Sequence, residues 1–130
     1  MAHPNEDLVR RGYEAFGRGD METLSQIMTP DVVQTSPGNN QLSGEYKGQD
    51  EVFGYYGKLA EVSNGTFKAE LESARAEGDD KVIARHRNLG QRGDKTMNTM
   101  MTLTFTIRDG KVTSLAETPD DQAAIDDFLG

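Results

Sequence analysis

Met97-Asn98-Thr99-Met100-Met101-Thr102-Leu103-Thr104-Phe105-Thr106-Ile107, then Arg108-Asp109-Gly110-Lys111, then Val112-Thr113-Ser114-Leu115-Ala116-Glu117-Thr118 is the stretch that decides the fold. From Thr99 onward, Met101, Leu103, Phe105 and Ile107 fall on one face and Thr102, Thr104 and Thr106 on the other. That is the period-two alternation of a half-buried strand. Asp109-Gly110 supplies a tight turn, because glycine accepts positive φ without steric cost. The stretch therefore reads as a long antiparallel ribbon with one apolar face. Its second arm ends in Glu117, a carboxylate on a strand that otherwise holds no charge.

Two more strands, over 66–76 and 81–91, precede the ribbon, with turns at Gly78-Asp79-Asp80 and Gly93-Asp94. Further upstream the period changes. Asn5 is placed to cap a helix in which Leu8, Val9, Gly12, Tyr13, Ala15 and Phe16 recur at helical spacing, and Gly17-Arg18-Gly19 stops it. Asp20 can cap a second helix, with Met21, Leu24, Ile27 and Met28 inside and Pro30 at its end. A short strand over 32–36 leads into Pro37-Gly38-Asn39-Asn40 and a loop reaching Gly48. A third helix covers 49–62, with Val52, Phe53, Tyr56, Leu59 and Ala60 on one side. Gly54 and Gly57 each weaken it by about 1 kcal/mol, so either the aromatic face compensates or close packing needs small residues there. The segment 120–128 is short and acidic, enough for a terminal helical turn or two. Helices first and a meander after them predict an α+β domain, the three N-terminal helices packed on a curved, mostly antiparallel sheet. Such a sheet makes a cone-shaped α+β barrel whose mouth can admit a small ligand.

At 130 residues the chain is expected to form a single domain, 1–130. A net charge of −8 and the lack of any basic run argue against nucleic acid and anionic membranes as partners. No 18-residue apolar stretch or signal-peptide core follows Met1, so the reading is a soluble, cytoplasmic protein. There are no cysteines and only two histidines, His3 and His86, which excludes a Cys-ligated or His-rich metal site; the acids show no calcium loop. No metal and no cofactor is expected. Asn64-Gly65-Thr66 matches a glycosylation sequon, which carries no weight without a secretory signal.

The chain resembles the nuclear transport factor 2-like superfamily, within it the SnoaL-like branch that includes polyketide cyclases. The resemblance rests on Pro37-Gly38-Asn39-Asn40-Gln41-Leu42-Ser43-Gly44-Glu45-Tyr46-Lys47-Gly48, similar to the family's PGxNPLSGxYxG loop, and on Arg108-Asp109-Gly110-Lys111-Val112 followed by Glu117 and Asp120-Asp121-Gln122-Ala123-Ala124. It implies the cone fold. It also implies that Glu117 falls where limonene-epoxide-hydrolase-like members place an acid/base aspartate. Their water-holding Tyr and Asn would fall at Val33 and Thr35, and their Arg and Asp pair near Arg85 and Arg87, so neither set is kept. Relatives carry aromatics around 34, 116 and 118 and a histidine near 35, where this chain has Gln34, Ala116, Thr118 and Thr35.

Individual residues then sort as follows. Glu117, among Leu115, Ala116 and Pro119, is a candidate acid/base group whose pKa an apolar pocket would raise. His86 shares a strand face with Val82, Ala84 and Asn88, and that face is expected inward because Arg85 and Arg87 on the other are easier to solvate than to bury. It is the candidate partner of Glu117 in proton exchange. Tyr13, Tyr55 and Tyr56 can line the mouth, Tyr56 being favoured as part of the apolar stripe. Of Gln34 and Thr35 one must point outward, and Thr35 is preferred inward with Val33. Met101 offers an adaptable apolar lining, while Met97 marks a fraying strand start. The uncharged face of Thr102, Thr104 and Thr106 suggests pairing with a second copy as a homodimer. The expectation is a small cofactor-independent enzyme acting on an apolar oxygenated molecule by cyclisation, isomerisation or epoxide opening. The alternative is a non-catalytic small-molecule-binding protein of the same fold.

Overall fold

The computed structural model of the protein describes residues 3–130. Its elements run α1 (Pro4–Arg18), α2 (Met21–Ile27), β1 (Met28–Ser36), β2 (Gly44–Lys47), α3 (Gln49–Val62), β3 (Lys68–Glu77), β4 (Lys81–Arg92), β5 (Lys95–Arg108), β6 (Lys111–Pro119) and α4 (Gln122–Leu129). The strands form one sheet in the order β2-β1-β6-β5-β4-β3. Every neighbouring pair is antiparallel except β1 and β6, which run parallel. This is the expected α+β cone, with a meander from β3 to β6. Among the described residues no helix is long and apolar enough to cross a membrane.

Local chemistry accounts for most of the boundaries. The cap of α1 is His3, not Asn5: its Nδ1 accepts the Asn5 N–H at 3.1 Å. Pro4 then takes a first-turn place where its missing N–H costs nothing. Gly19 ends α1 in the left-handed region at φ 68°. Asp20 caps α2 by accepting from the Thr23 N–H at 3.1 Å. Helix α2 stops at Ile27, before Pro30; Met28 and Pro30 belong to β1, where the β1/β6 register shifts between Met28 and Val33. An irregular stretch of ladder tolerates a residue without a backbone donor. The β5–β6 hairpin turns at Asp109 and Gly110 with φ of 52° and 75°, a pair of positive angles that matches strand twist.

Further expectations are corrected by the loops and glycines. Gly44–Lys47, read as loop, is a strand pairing antiparallel with β1; four residues inside a turn-rich segment are too short for alternation to show. Met97 does not fray: it is 3% exposed and packs with Leu42, Ile125, Phe128 and Leu129. Of the two accounts of Gly54 and Gly57, close packing is excluded, since a Cβ at either would meet no neighbouring atom within 4 Å, and compensation by the aromatic face is left.

The core fills the concave side of the sheet under α1, α2 and α3, with Val9, Leu24, Val32, Val52 and Val82 nearly sealed from solvent. The other end is closed by α4. Asp121 caps that helix through the Ala124 N–H at 3.1 Å, and the 37–43 loop fastens it. Asn40 Nδ2 donates to Asp126 Oδ1 at 2.8 Å and Gln41 Nε2 to the Leu129 carbonyl at 2.6 Å.

Candidate active site

Between the sheet and the helices lies a cavity of about 110 Å³ walled largely by apolar side chains. Its polar groups are few and come from separate elements: Gln34 and Ser36 of β1, Tyr55 and Tyr56 of α3, Tyr13 of α1, His86 and Asn88 of β4, and Glu117 of β6. The alternation of each strand puts these groups inside. Val82, Ala84, His86 and Asn88 are all buried, while Ile83, Arg85 and Arg87 face outward, so the expected orientation of β4 is the observed one.

On β1 the parity is opposite to expectation. Val32, Gln34 and Ser36 are buried, Val33 is half-buried and Thr35 is exposed, paired with Glu45 and Ala116 on the outer face. A shift of one residue moves a whole strand's side chains to the other face, and Val32 supplies the inward apolar residue as well as Val33 would. The burial of Gln34 is offset by hydrogen bonds at both ends of its amide. Its Nε2 donates to Glu117 Oε2 at 2.8 Å, and its Oε1 accepts from the Tyr56 hydroxyl at 2.6 Å.

Glu117 Oε2 also accepts from the Tyr55 hydroxyl at 2.7 Å. Among the described residues no cation is paired with Glu117. Burial pushes the carboxyl above its usual range, and hydrogen bonds from Tyr55, Gln34 and Ser36 pull it only part of the way back. The result is an acid that changes charge closer to neutrality than a free glutamate. Burial, and after it the Glu117 charge, raises the pKa of Tyr13, Tyr55 and Tyr56, so all three remain neutral donors.

His86 forms a second network. Its Nε2 is 2.8 Å from Asn88 Oδ1 and its Nδ1 2.5 Å from the Tyr13 hydroxyl. With an oxygen acceptor at Nε2, the proton sits there, and Nδ1 accepts from Tyr13. Burial lowers the His86 pKa, with Arg85 adding to that and Asn88 opposing it, so the ring is neutral at pH 7. His86 and Glu117 share the cavity without touching. The ladder aligns Glu117 with Leu103 and Ala84, whereas His86 aligns with Met101 and Pro119. The anticipated direct pair is therefore not formed. A depressed histidine contributes stability that is complete above about pH 6.5 and is lost as pH falls through the native value. His86→Gln should accordingly lack the part of the wild-type loss in urea midpoint seen between pH 7.5 and 5.

Met101, Tyr13 and Tyr56 line the cavity as expected, and Gln34 takes the inward place that Thr35 was expected to hold. Ser36 and Asn88 are the residues that the strand pattern left without a role, and Tyr55, ranked behind Tyr56 in the sequence, also lines the cavity. The spacing Val52-Tyr55-Leu59, the buried side of α3, was the available signal for Tyr55. The positions matched to a hydrolase Arg and Asp pair are exterior: Arg85 makes a two-pronged ion pair with Asp120 at 2.7 and 2.8 Å.

A family model described as a SnoaL-like domain matches residues 9–115. An uncharacterized protein of Mycobacterium tuberculosis is 37% identical over 122 residues, 94% of this chain and 93% of that protein. The structure of Bal32a, from a soil-derived mobile gene cassette, is 34% identical with a TM-score of 0.95 and covers 98% of this chain and 97% of its own. A protein of unknown function with a cystatin-like fold from Xanthomonas campestris is also 34% identical, with a TM-score of 0.89 over 95% of this chain and 96% of its own. Putative polyketide cyclases of known structure share the fold at 19–22% identity.

Proposed function

Because the chain belongs to the SnoaL-like family, we propose that its cone is a cofactor-independent acid/base site for an apolar, oxygenated small molecule, with Glu117 moving the proton. One observation carries this reading: a lone carboxylate on the wall of an apolar cavity, held by neutral donors and raised in pKa by burial. As the carboxylate it removes a proton from carbon beside a carbonyl; as the acid it returns that proton to another atom of the same molecule. Isomerisation, ring closure and intramolecular epoxide opening all fit this traffic, and putative polyketide cyclases share the fold. His86 serves by position. Its Nε2–H holds the oxygen of Asn88, so the Asn88 amide keeps its N–H donors for a ligand oxygen.

The test is deuterium exchange. In D2O the protein should accelerate loss of the α-proton signals of 2-indanone, followed by NMR, above a buffer control. Binding of such ketones without acceleration would support the second reading, a carrier, which the predominantly apolar lining favours. Pairing of two copies through Thr102, Thr104 and Thr106 is part of the same proposal. These side chains are half-buried on the outer face of β5. Sedimentation velocity should give twice the chain's 14.3 kDa, and Thr104→Lys should return it to one.

A further inference from the structure

A second apolar hollow of about 320 Å³ lies outside the first, between the α1–α2 corner, α3 and the start of β3. Phe16, Tyr56 and Phe67 belong to the walls of both. Phe16 meets the other two edge-on, with ring centroids 5.2 Å from Tyr56 and 6.1 Å from Phe67 and interplanar angles of 86° and 89°. The three rings, from α1, α3 and the residue just before β3, thus form a collar of side chains in the wall that the two spaces share. All three are half-buried. The hydroxyl of Tyr56 also reaches inward to Gln34, which itself holds Glu117. The collar is one hydrogen-bonded residue away from the carboxylate.

The outer space is kept open by small residues, Gly57 and Ala60 of α3 among them. Gly57 is the informative one. A glycine inside a helix costs about 1 kcal/mol relative to alanine, and here the cost has no packing return, since a Cβ would meet nothing within 4 Å. Gly57 lines the hollow, so a side chain added there would occupy part of it.

Resting on the acid/base reading above, we infer that the ligand is elongated: an oxygenated ring lies at Glu117, and an apolar extension, a hydrocarbon chain or further fused rings, passes the collar of Phe16, Tyr56 and Phe67 into the outer hollow. The inner cavity selects for the reactive head and the outer one for length. Phe16, Tyr56 and Phe67 then determine specificity by letting a flat or linear body through and stopping a branched one.

The experiment is a calorimetric titration with 4-ethylphenol, 4-butylphenol and 4-octylphenol, against wild type, Gly57→Leu and Ala60→Leu. Each buried methylene is worth roughly a fourfold gain in affinity. The wild type should bind the octyl compound at least about tenfold more tightly than the ethyl compound. Gly57→Leu, which improves helix propensity, should fold, keep the ethyl affinity within about twofold and abolish the gain with length; Ala60→Leu on the same wall should do likewise. A length gain that survives both substitutions, or a wild type with no length gain, overturns the outer compartment while leaving the Glu117 site standing. Binding by none of the three phenols overturns both.

Discussion

Glu117→Gln is expected to slow ketone deuterium exchange by about 10²–10⁴-fold, the usual worth of a positioned acid or base, while ligand affinity stays within about threefold. Glutamine keeps the shape and still offers an oxygen to Tyr55 and Gln34, so binding survives while the exchangeable proton site disappears. Stability moves the other way. Glu117 has a native pKa above its unfolded value, so its contribution is fully present below about pH 4.3 and is lost as pH rises through the native value. The variant should therefore be as stable as wild type in acid and more stable at pH 8, as read from urea midpoints. Equal midpoints at both pH values would mean that the carboxyl is not held in a disfavoured ionised state. Tyr55→Phe removes a donor that lowers the Glu117 pKa, and should move the rising limb of the exchange profile to higher pH.

Phe128→Ala should cost about 3–5 kcal/mol, the range for deleting a buried aromatic ring. Phe128 is 2% exposed and lies over Gly90, whose missing Cβ would come 3.2 Å from the ring. Gly90→Val alone should also destabilise, because the ring has no room to retreat. In Phe128→Ala the same valine fills space instead of colliding, so the double variant should recover part of the loss. A cycle of denaturation midpoints reads this coupling directly, and simple additivity would contradict the packing. The damage should reach the site, because Ile125 and Leu129 of the same helix close the far side of the cavity.

Much of this architecture is legible in residue order, and the failures share a cause. Helix α3 was readable to its ends, and the hairpin at Asp109-Gly110 announces itself through a glycine and two clean alternating arms. The inward face of β4 followed from the cost of burying two arginines. Thr35 went wrong because β1 offers apolar residues on both parities, Val32 and Val33, and the deciding term is tertiary: Gln34 gains two partners only when it faces Glu117 and Tyr56. Tyr55 ranks behind Tyr56 in the sequence for a similar reason. Two adjacent tyrosines both fit an amphipathic helix, and only the position of Glu117 across the cavity separates the one that grips the carboxylate from the one that grips the amide.

The parallel seating of β1 against β6 sets the order in which the molecule can assemble. The β3–β6 meander closes through short hairpins, whereas β1 must find a strand 83 residues further along the chain, the separation of Gln34 from Glu117. Distant closures carry more loop entropy and form late. During synthesis β1 can therefore take its place beside β6 only after the last strand has emerged. The hydrogen bond between Gln34 and Glu117 spans that same closure, so the proposed proton-transfer site would be complete only in molecules that have finished folding.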